Sequence, residues 1–160
     1  MPATSVVTLM SGLAITPQAV LDPARADLLI VPGGGYGLPA GSPGVPAEIA
    51  RGRTPSALAD IRRGELTIAA VCTGVMLLSA AGITRNRACT THRRVRADLE
   101  GGILVDARVV DDGDLVTAGG VTSGLDLALW LVERELGAEL AVSVEALLEY
   151  ERRGTVWRRR

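Results

Sequence analysis

The fold of this 160-residue chain is most constrained by residues 66–84, which contain no charged side chain. They begin as an apolar strand and continue directly into a helix, in the run Leu66-Thr-Ile-Ala-Ala-Val-Cys72-Thr-Gly-Val-Met-Leu-Leu-Ser-Ala-Ala-Gly82. A strand without alternating polar residues is typical of a parallel sheet that is covered on both faces. Small and hydroxylated residues dilute the run and turn signals bracket it, so a buried strand and helix are favoured over a membrane span.

Strands and helices alternate along the chain. Strands are predicted at 27–31 and 66–71, with a weaker signal at 6–9. Further on, Asp112-Gly113 lies between two valine-rich runs, which predicts a β-hairpin near residues 107–118. The alternation predicts an α/β fold, with a mostly parallel sheet and helices on both faces, in a single domain over residues 1–160.

Four helices are predicted in addition to the one that follows Cys72, from apolar residues at helical spacing and from residues typical of helix ends. They are a helix opened by Thr54-Pro55, with Leu58 and Ile61 on one face and Gly64 at its end; a polar-faced helix over residues 90–99, with Val95 and Leu99 inward; a helix with Leu125, Leu129, Val132 and Leu136, closed by Gly137; and a final helix with Leu140, Val144, Leu147 and Leu148, ended by Gly154.

The composition excludes several functions. All 17 basic residues are arginine, which rules out a lysine Schiff base and a Walker-type phosphate loop. The arginines are dispersed except for Arg158-Arg159-Arg160 and the pI is about 5.8, so no nucleic-acid partner is expected. Two cysteines 17 positions apart and one histidine predict neither a disulfide framework nor a metal site. Without a secretory signal at the start, a reducing cytoplasm is the expected location.

Cys72 is the first candidate for chemistry. A thiol at a strand-to-helix corner projects above the sheet edge and faces free helix N–H groups, which favour its anionic form. Thr73 and Gly74 are small enough for the tight turn that such a corner requires. The alternative is that Cys72 is an inert, buried small hydrophobe, and the sequence leaves both readings open.

Glycine-bearing corners follow three of the predicted strands, at 33–35, 72–74 and 119–124. Ligands of open α/β sheets bind at the carboxyl ends of the strands, and glycine turns there can point backbone N–H groups at a developing negative charge. Each of the three corners, the last of which includes Gly120, is therefore a candidate oxyanion or substrate-binding site. The alternative is that these glycines only make turns.

His92 is the only histidine, so any acid-base imidazole must be this one. Near the start of its helix it is expected to stay neutral and to accept or relay a proton. The alternative is a capping or surface role. Arg93 and Arg94 follow it, so the His-x-Glu pair of a glutaminase triad is missing and glutaminase activity is not expected.

Taken together, five motifs in this order resemble the ThiJ/PfpI superfamily, over about residues 11–157. The similarity is greatest to the branch of the isonitrile hydratases and of the sensor domains of AraC-type regulators. The resemblance implies the glutamine amidotransferase-like, flavodoxin-like doubly wound fold. The motifs are Leu29-Ile-Val-Pro-Gly-Gly34, Val71-Cys-Thr-Gly74, Ala88-Cys-Thr-Thr-His92, Asp111-Asp-Gly-Asp-Leu-Val-Thr-Ala-Gly-Gly120 and Gly124-Leu-Asp-Leu-Ala128.

The resemblance also implies roles for individual residues. Cys72 matches the nucleophile, and Gly34 and Thr73 match backbone donors to the developing charge, with the Thr73 hydroxyl also facing the substrate. His92 matches the histidine that the superfamily keeps near its cysteine. The acidic residue that completes the site of the isonitrile hydratases lies on the family's first helix and has no counterpart here.

That departure predicts an incomplete chain that lacks the family's first βα unit. In the flavodoxin-like order the first strand is central, so its loss is expected to leave neighbouring strands unpaired, apolar surface open and the protein poorly soluble.

The resemblance implies a cysteine-dependent hydratase or hydrolase-like protein that converts a small isonitrile to an N-substituted formamide, with slight activity because the carboxylate is missing. It implies a small-molecule substrate, no cofactor, no membrane and a homodimer. Two alternatives remain: a non-catalytic ligand-sensing domain related to AraC-type regulators, or a deglycase- or peptidase-like member of the superfamily.

Overall fold

The computed structural model describes residues 6–9, 11–61 and 66–159. Its strands are β1 (Val7–Thr8), β2 (Ala14–Ile15), β3 (Leu28–Val31), β4 (Thr67–Val71), β5 (Ala88–Cys89), β6 (Ile103–Leu104), β7 (Val109–Asp111), β8 (Leu115–Ala118) and β9 (Trp157–Arg158). Its α-helices are α1 (Val45–Arg51), α2 (Arg53–Ala59), α3 (Gly74–Ala80), α4 (Ser123–Leu136) and α5 (Ala138–Leu148), and short 3₁₀ helices cover Pro23–Arg25 and Arg93–Asp98. None of the helices in these ranges has the length and hydrophobicity needed to cross a bilayer.

A five-stranded sheet forms the centre, in the order β3-β4-β8-β7-β9. Strands β3, β4 and β8 are parallel, β7 and β8 form an antiparallel hairpin, and β9 runs parallel to β7. The predicted α/β class and the hairpin are therefore confirmed. Because side chains alternate along β4, Ile68 and Ala70 pack in the cluster that includes residues of α1, α2 and α3, whereas Ala69 packs with residues of α4 on the other face.

The start of the chain differs from the prediction. The weak strand at 6–9 is present as β1, but it pairs with β2 in a separate antiparallel ribbon whose residues are exposed. Strand β3 is therefore at the edge of the main sheet, with Ile30 51% exposed. The absence of a leading βα unit stays a prediction.

The helix predicted from Thr54-Pro55 begins one residue earlier, at Arg53. Gly52, in the left-handed conformation, ends α1 and starts α2, and the sequence analysis did not predict α1. The Thr54 hydroxyl does not cap the helix, because it donates to the Glu48 carboxylate at 2.9 Å. Gly64, the predicted end, lies outside the described residues.

The predicted helix over 90–99 was too long and of the wrong type. Strand β5 precedes this segment, and Thr90 and Thr91, which follow the strand, are buried and not helical. Only Arg93–Asp98 is helical, as a 3₁₀ helix. Val95 is buried and Leu99 packs against the core, as predicted.

The prediction of which residues of the last two helices face inward was partly wrong. Helix α4 ends at Gly137 as predicted, but Leu125 and Leu136 are exposed, since the sheet is contacted by another stripe of the helix. Helix α5 ends at Leu148, where Glu149 takes a left-handed conformation, and not at Gly154. Ala141 is the buried residue of α5; Leu140, Leu147 and Leu148 are exposed. The stripe of α4 on the sheet consists of Leu127, Trp130 and Leu131.

Candidate active site

Cys72 occupies the corner between β4 and α3 with a φ of 59°, a left-handed conformation that is strained in a non-glycine residue. Its side chain is partly exposed. Its N–H donates to the carbonyl oxygens of Ala118 and Gly119, at 3.1 and 2.9 Å. Its own carbonyl oxygen accepts a bond from the buried Thr91 hydroxyl at 2.9 Å. These hydrogen bonds stabilise the strained backbone of Cys72.

The Cys72 corner packs directly on the glycine corner that follows β3, with no room for side chains between them. A Cβ on Gly33 would lie 2.7 Å from the backbone nitrogen of Thr73, and one on Gly74 would lie 2.7 Å from the carbonyl carbon of Pro32. Real Cβ atoms essentially never come this close. Glycine is therefore required at both positions for close approach, and neither residue needs a positive φ.

The two predicted oxyanion donors contact each other. The Gly34 N–H donates to the Thr73 hydroxyl oxygen at 3.0 Å. Thr73 is buried, and its hydroxyl thus joins the two corners. The assignment of Gly34 and Thr73 as donors to a substrate stays a prediction, but the structure brings both to the same place beside Cys72.

His92 caps the 3₁₀ helix and lines the same cavity as Cys72. Its Nδ1 accepts the Arg94 N–H at 3.2 Å, so the neutral ring carries its proton on Nε2. No hydrogen bond joins the ring to the Cys72 thiol among the described residues. Gly120 lies against the other edge of the imidazole, because a Cβ there would be 2.9 Å from Nε2.

The Cys72 cavity has a volume of about 420 Å³, within the range of small-molecule sites. None of its lining residues is acidic. Sequence reasoning missed Tyr36 and Arg94, which complete the wall. The lining residues are Gly34, Gly35, Tyr36, Gly37, Cys72, Thr73, His92, Arg94 and Val95.

Tyr36 connects two sides of this cavity. Its hydroxyl donates to the Asp98 carboxylate at 3.1 Å, which ties the loop after β3 to the end of the 3₁₀ helix. Partial burial and the neighbouring Asp98 carboxylate raise the pKa of the Tyr36 phenol. Tyr36 therefore stays a neutral donor at physiological pH.

Gly120 is not among the residues that line the Cys72 cavity. It lines a neighbouring cavity of about 400 Å³ that shares His92 with the first and also contains Arg93. Its predicted role as a substrate-binding donor stays a prediction, but its place in the structure indicates that it makes room for the imidazole.

Neither a second, larger cleft nor the second cysteine offers an accessible thiol. A larger cleft of about 830 Å³, between residues 105–108 and 154–159, is lined by neither thiol nor imidazole. Cys89 is fully buried, and burial, with a contribution from Asp112, raises the pKa of its thiol to about 11. Cys72 is therefore the thiol suited to nucleophilic attack. Among the described residues, no group of three or more His, Cys, Asp or Glu side chains could hold a metal ion.

Comparison with protein families places this chain in a known class. The DJ-1/PfpI family matches residues 1–134, and the chain belongs to that family. Schizosaccharomyces pombe DJ-1 shares the fold, with a TM-score of 0.73 at 19% identity over 94% of this chain and 80% of that one.

More similar relatives come from pseudomonads. The isonitrile hydratase of Pseudomonas putida is 33% identical over 147 residues, which cover 90% of this chain and 61% of that protein. The HTH-type transcriptional regulator GbdR of Pseudomonas aeruginosa is 32% identical over 88% of this chain and 37% of its own length. A ThiJ/PfpI family protein from Pseudomonas syringae has a TM-score of 0.73 at 32% identity, over 96% of this chain and 62% of that one. The chain thus spans less than two thirds of the length of these two curated relatives.

Proposed function

We propose that this protein is a cysteine-dependent hydratase that converts a small isonitrile to an N-substituted formamide. The observation that carries the proposal is the strained corner at Cys72, with a φ of 59°, which opens into a cavity shared with Thr73 and His92. The 33% identity to an isonitrile hydratase supports the choice of substrate class.

The proposed reaction has two steps. The Cys72 thiol adds across the terminal carbon of the isonitrile: the S–C bond forms, the proton passes to that carbon, and a thioformimidate results. Water then adds to the same carbon, the S–C bond breaks, the sulfur regains a proton and the nitrogen takes the other. The product is the formamide. Negative charge that develops on the substrate is stabilised by the Thr73 N–H, since the Gly34 N–H is bonded to the Thr73 hydroxyl.

Water carries the protons in this proposal, because among the described residues no carboxylate lines the cavity and the neutral His92 ring has no free acceptor nitrogen. The ring presents one donor, Nε2–H, and its Nδ1 is engaged by the Arg94 N–H at 3.2 Å. A hydrogen-bond donor contributes less to the reaction than a matched acid and base, so we expect slow turnover.

The test is formamide production from a small alkyl isonitrile, measured by mass spectrometry. We expect Cys72→Ala to lower turnover by at least about 100-fold. Cys89→Ala is the matched control, because it removes the buried thiol, and it should keep the rate of the unchanged protein. Turnover that survives Cys72→Ala would exclude the thiol from the mechanism.

A second candidate is a ligand-sensing domain without chemistry. It is favoured by the 32% identity to GbdR and by an AraC family regulator from Pseudomonas putida, which has a TM-score of 0.70 at 27% identity over 89% of this chain and 75% of that one. Binding of a ligand would raise the melting temperature of a sensor, and the ligand would remain chemically unchanged. Recovery of intact ligand after long incubation would favour this candidate. The small-molecule substrate and the homodimer remain predictions in either case.

A further inference from the structure

The Cys72 cavity contains one permanently charged group. Arg94 lines it, no aspartate or glutamate does, and within the described ranges no ion pair neutralises this guanidinium. The neighbouring arginines differ: Arg96 pairs with Asp106 at 2.8 Å, and Arg93 lines the adjoining cavity instead. Arg94 therefore supplies the one formal charge among the described residues that line the cavity.

The backbone of Arg94 is fixed at the cavity wall. Its N–H is bonded to His92 Nδ1 at 3.2 Å, and the next residue, Val95, is 2% exposed in the core. Arg94 is exposed, so its side chain can reach a bound molecule without unfolding the 3₁₀ helix.

The wall formed by residues 34–37 offers little side-chain chemistry to a ligand. Three of its four residues are glycines, and the hydroxyl of the fourth, Tyr36, is held by Asp98. A polar tail on a substrate in this cavity would thus find Arg94 as its charged partner.

We propose that Arg94 makes this site selective for small substrates that carry a carboxylate within three bonds of the reacting carbon. A guanidinium binds a carboxylate through two parallel N–H donors, a geometry that a neutral amide does not match. The inference rests on the proposed function for its reaction, but the anion preference belongs to the cavity itself and is measured separately.

The first experiment uses iodoacetate and iodoacetamide, which differ in charge and hardly in size. Each alkylates Cys72 by forming an S–C bond and releasing iodide, and mass spectrometry of the Cys72 peptide gives both rates. The iodoacetate-to-iodoacetamide ratio is divided by the same ratio for N-acetylcysteine. We expect a normalised ratio of about five to ten, falling as salt rises.

Two variants assign this preference. Arg94→Gln should return the ratio to about one. Arg94→Lys should keep part of the preference for iodoacetate, because the positive charge remains while the two parallel N–H donors of the guanidinium are lost. Arg93→Gln is the matched control: it removes the same charge one residue away and should leave the ratio unchanged. A ratio near one in the unchanged protein, or an equal fall in Arg93→Gln, would overturn the inference.

The second experiment compares turnover of isocyanoacetate and isocyanoacetamide. We expect kcat/KM to favour the anion by about the same five- to tenfold, and Arg94→Gln to lower kcat/KM for isocyanoacetate more than for isocyanoacetamide, so that the preference is lost. If neither compound is hydrated, the proposed hydratase is wrong, whereas the alkylation ratio still decides the role of Arg94. If hydration occurs without anion preference, the reaction stands and the specificity inference fails.

Discussion

Gly74→Ala is the substitution that most directly tests how the Cys72 corner is built. Gly74 is the first residue of α3, where alanine would ordinarily stabilise a helix by about 0.5–1 kcal/mol. In this structure the added Cβ would lie 2.7 Å from the Pro32 carbonyl carbon and closer still to the Val31 carbonyl oxygen. These are backbone atoms at the end of β3, so they cannot rotate away as a flexible side chain would.

The magnitude follows from these two opposing effects. Forcing a methyl group into a closely packed site costs about 1–3 kcal/mol, which exceeds the gain in helix propensity. We expect Gly74→Ala to lower the free energy of unfolding by about 1–2 kcal/mol. For a domain of this size that corresponds to a melting temperature lower by about 2–8 °C.

Gly124→Ala is the matched control. Gly124 also lies in the first turn of a helix that follows a strand, but the nearest atom to an added Cβ is Val71 Cγ2 at 3.6 Å, an ordinary contact. This variant should be more stable than the unchanged protein by about 0.5–1 kcal/mol. Urea unfolding followed by circular dichroism, at low protein concentration, measures both. If Gly74→Ala were as stable as Gly124→Ala, the close packing of the two corners would be refuted.

Three further predictions concern the site. At pH 7.5 iodoacetamide should label Cys72 and leave Cys89 unmodified, because the Cys89 pKa of about 11 keeps that thiol protonated; its labelling should rise only as the pH approaches that value. Cys72→Gly should be more stable than Cys72→Ala by about 1 kcal/mol in urea unfolding, since glycine tolerates the φ of 59° that alanine does not. Gly120→Ala should slow isonitrile hydration several-fold while Cys72 labelling stays near its usual rate, because the new methyl group would displace the imidazole of His92 and not the thiol. Equal loss of both readouts would show that the whole corner had shifted.

The sequence was sufficient to predict the elements with a strong local signal. Residues 66–82 form a buried strand and a helix because the run is uncharged and turn residues bound it, and Asp112-Gly113 marks the hairpin. Helix orientation was harder to predict. The stripe through Leu125 and Leu136 has helical spacing, but spacing alone does not indicate which of two apolar stripes faces the sheet.

Much of the candidate site could also be anticipated, since the carboxyl ends of β3 and β4 must meet at one edge of a parallel sheet. The structure brings Gly34, Cys72 and Thr73 together for this reason. Arg94 could not be found in the same way, because its position depends on a 3₁₀ helix where an α-helix was predicted. Because the helix begins at Arg93 and not near residue 90, Arg94 lies in its first turn, directly after His92.

The restraints on Cys72 come from several parts of the fold, and this explains how one residue can keep an unfavourable backbone. A left-handed non-glycine residue costs about 1–3 kcal/mol, and no single neighbouring hydrogen bond offsets that reliably. Here the Cys72 N–H is held by two carbonyl oxygens at the end of β8, and its carbonyl oxygen by Thr91 after β5. The corner that follows β3 packs closely against Thr73 and Gly74, the two residues after Cys72. Because these restraints exist without a substrate, the thiol is positioned before binding, and a ligand need not supply the energy to orient it.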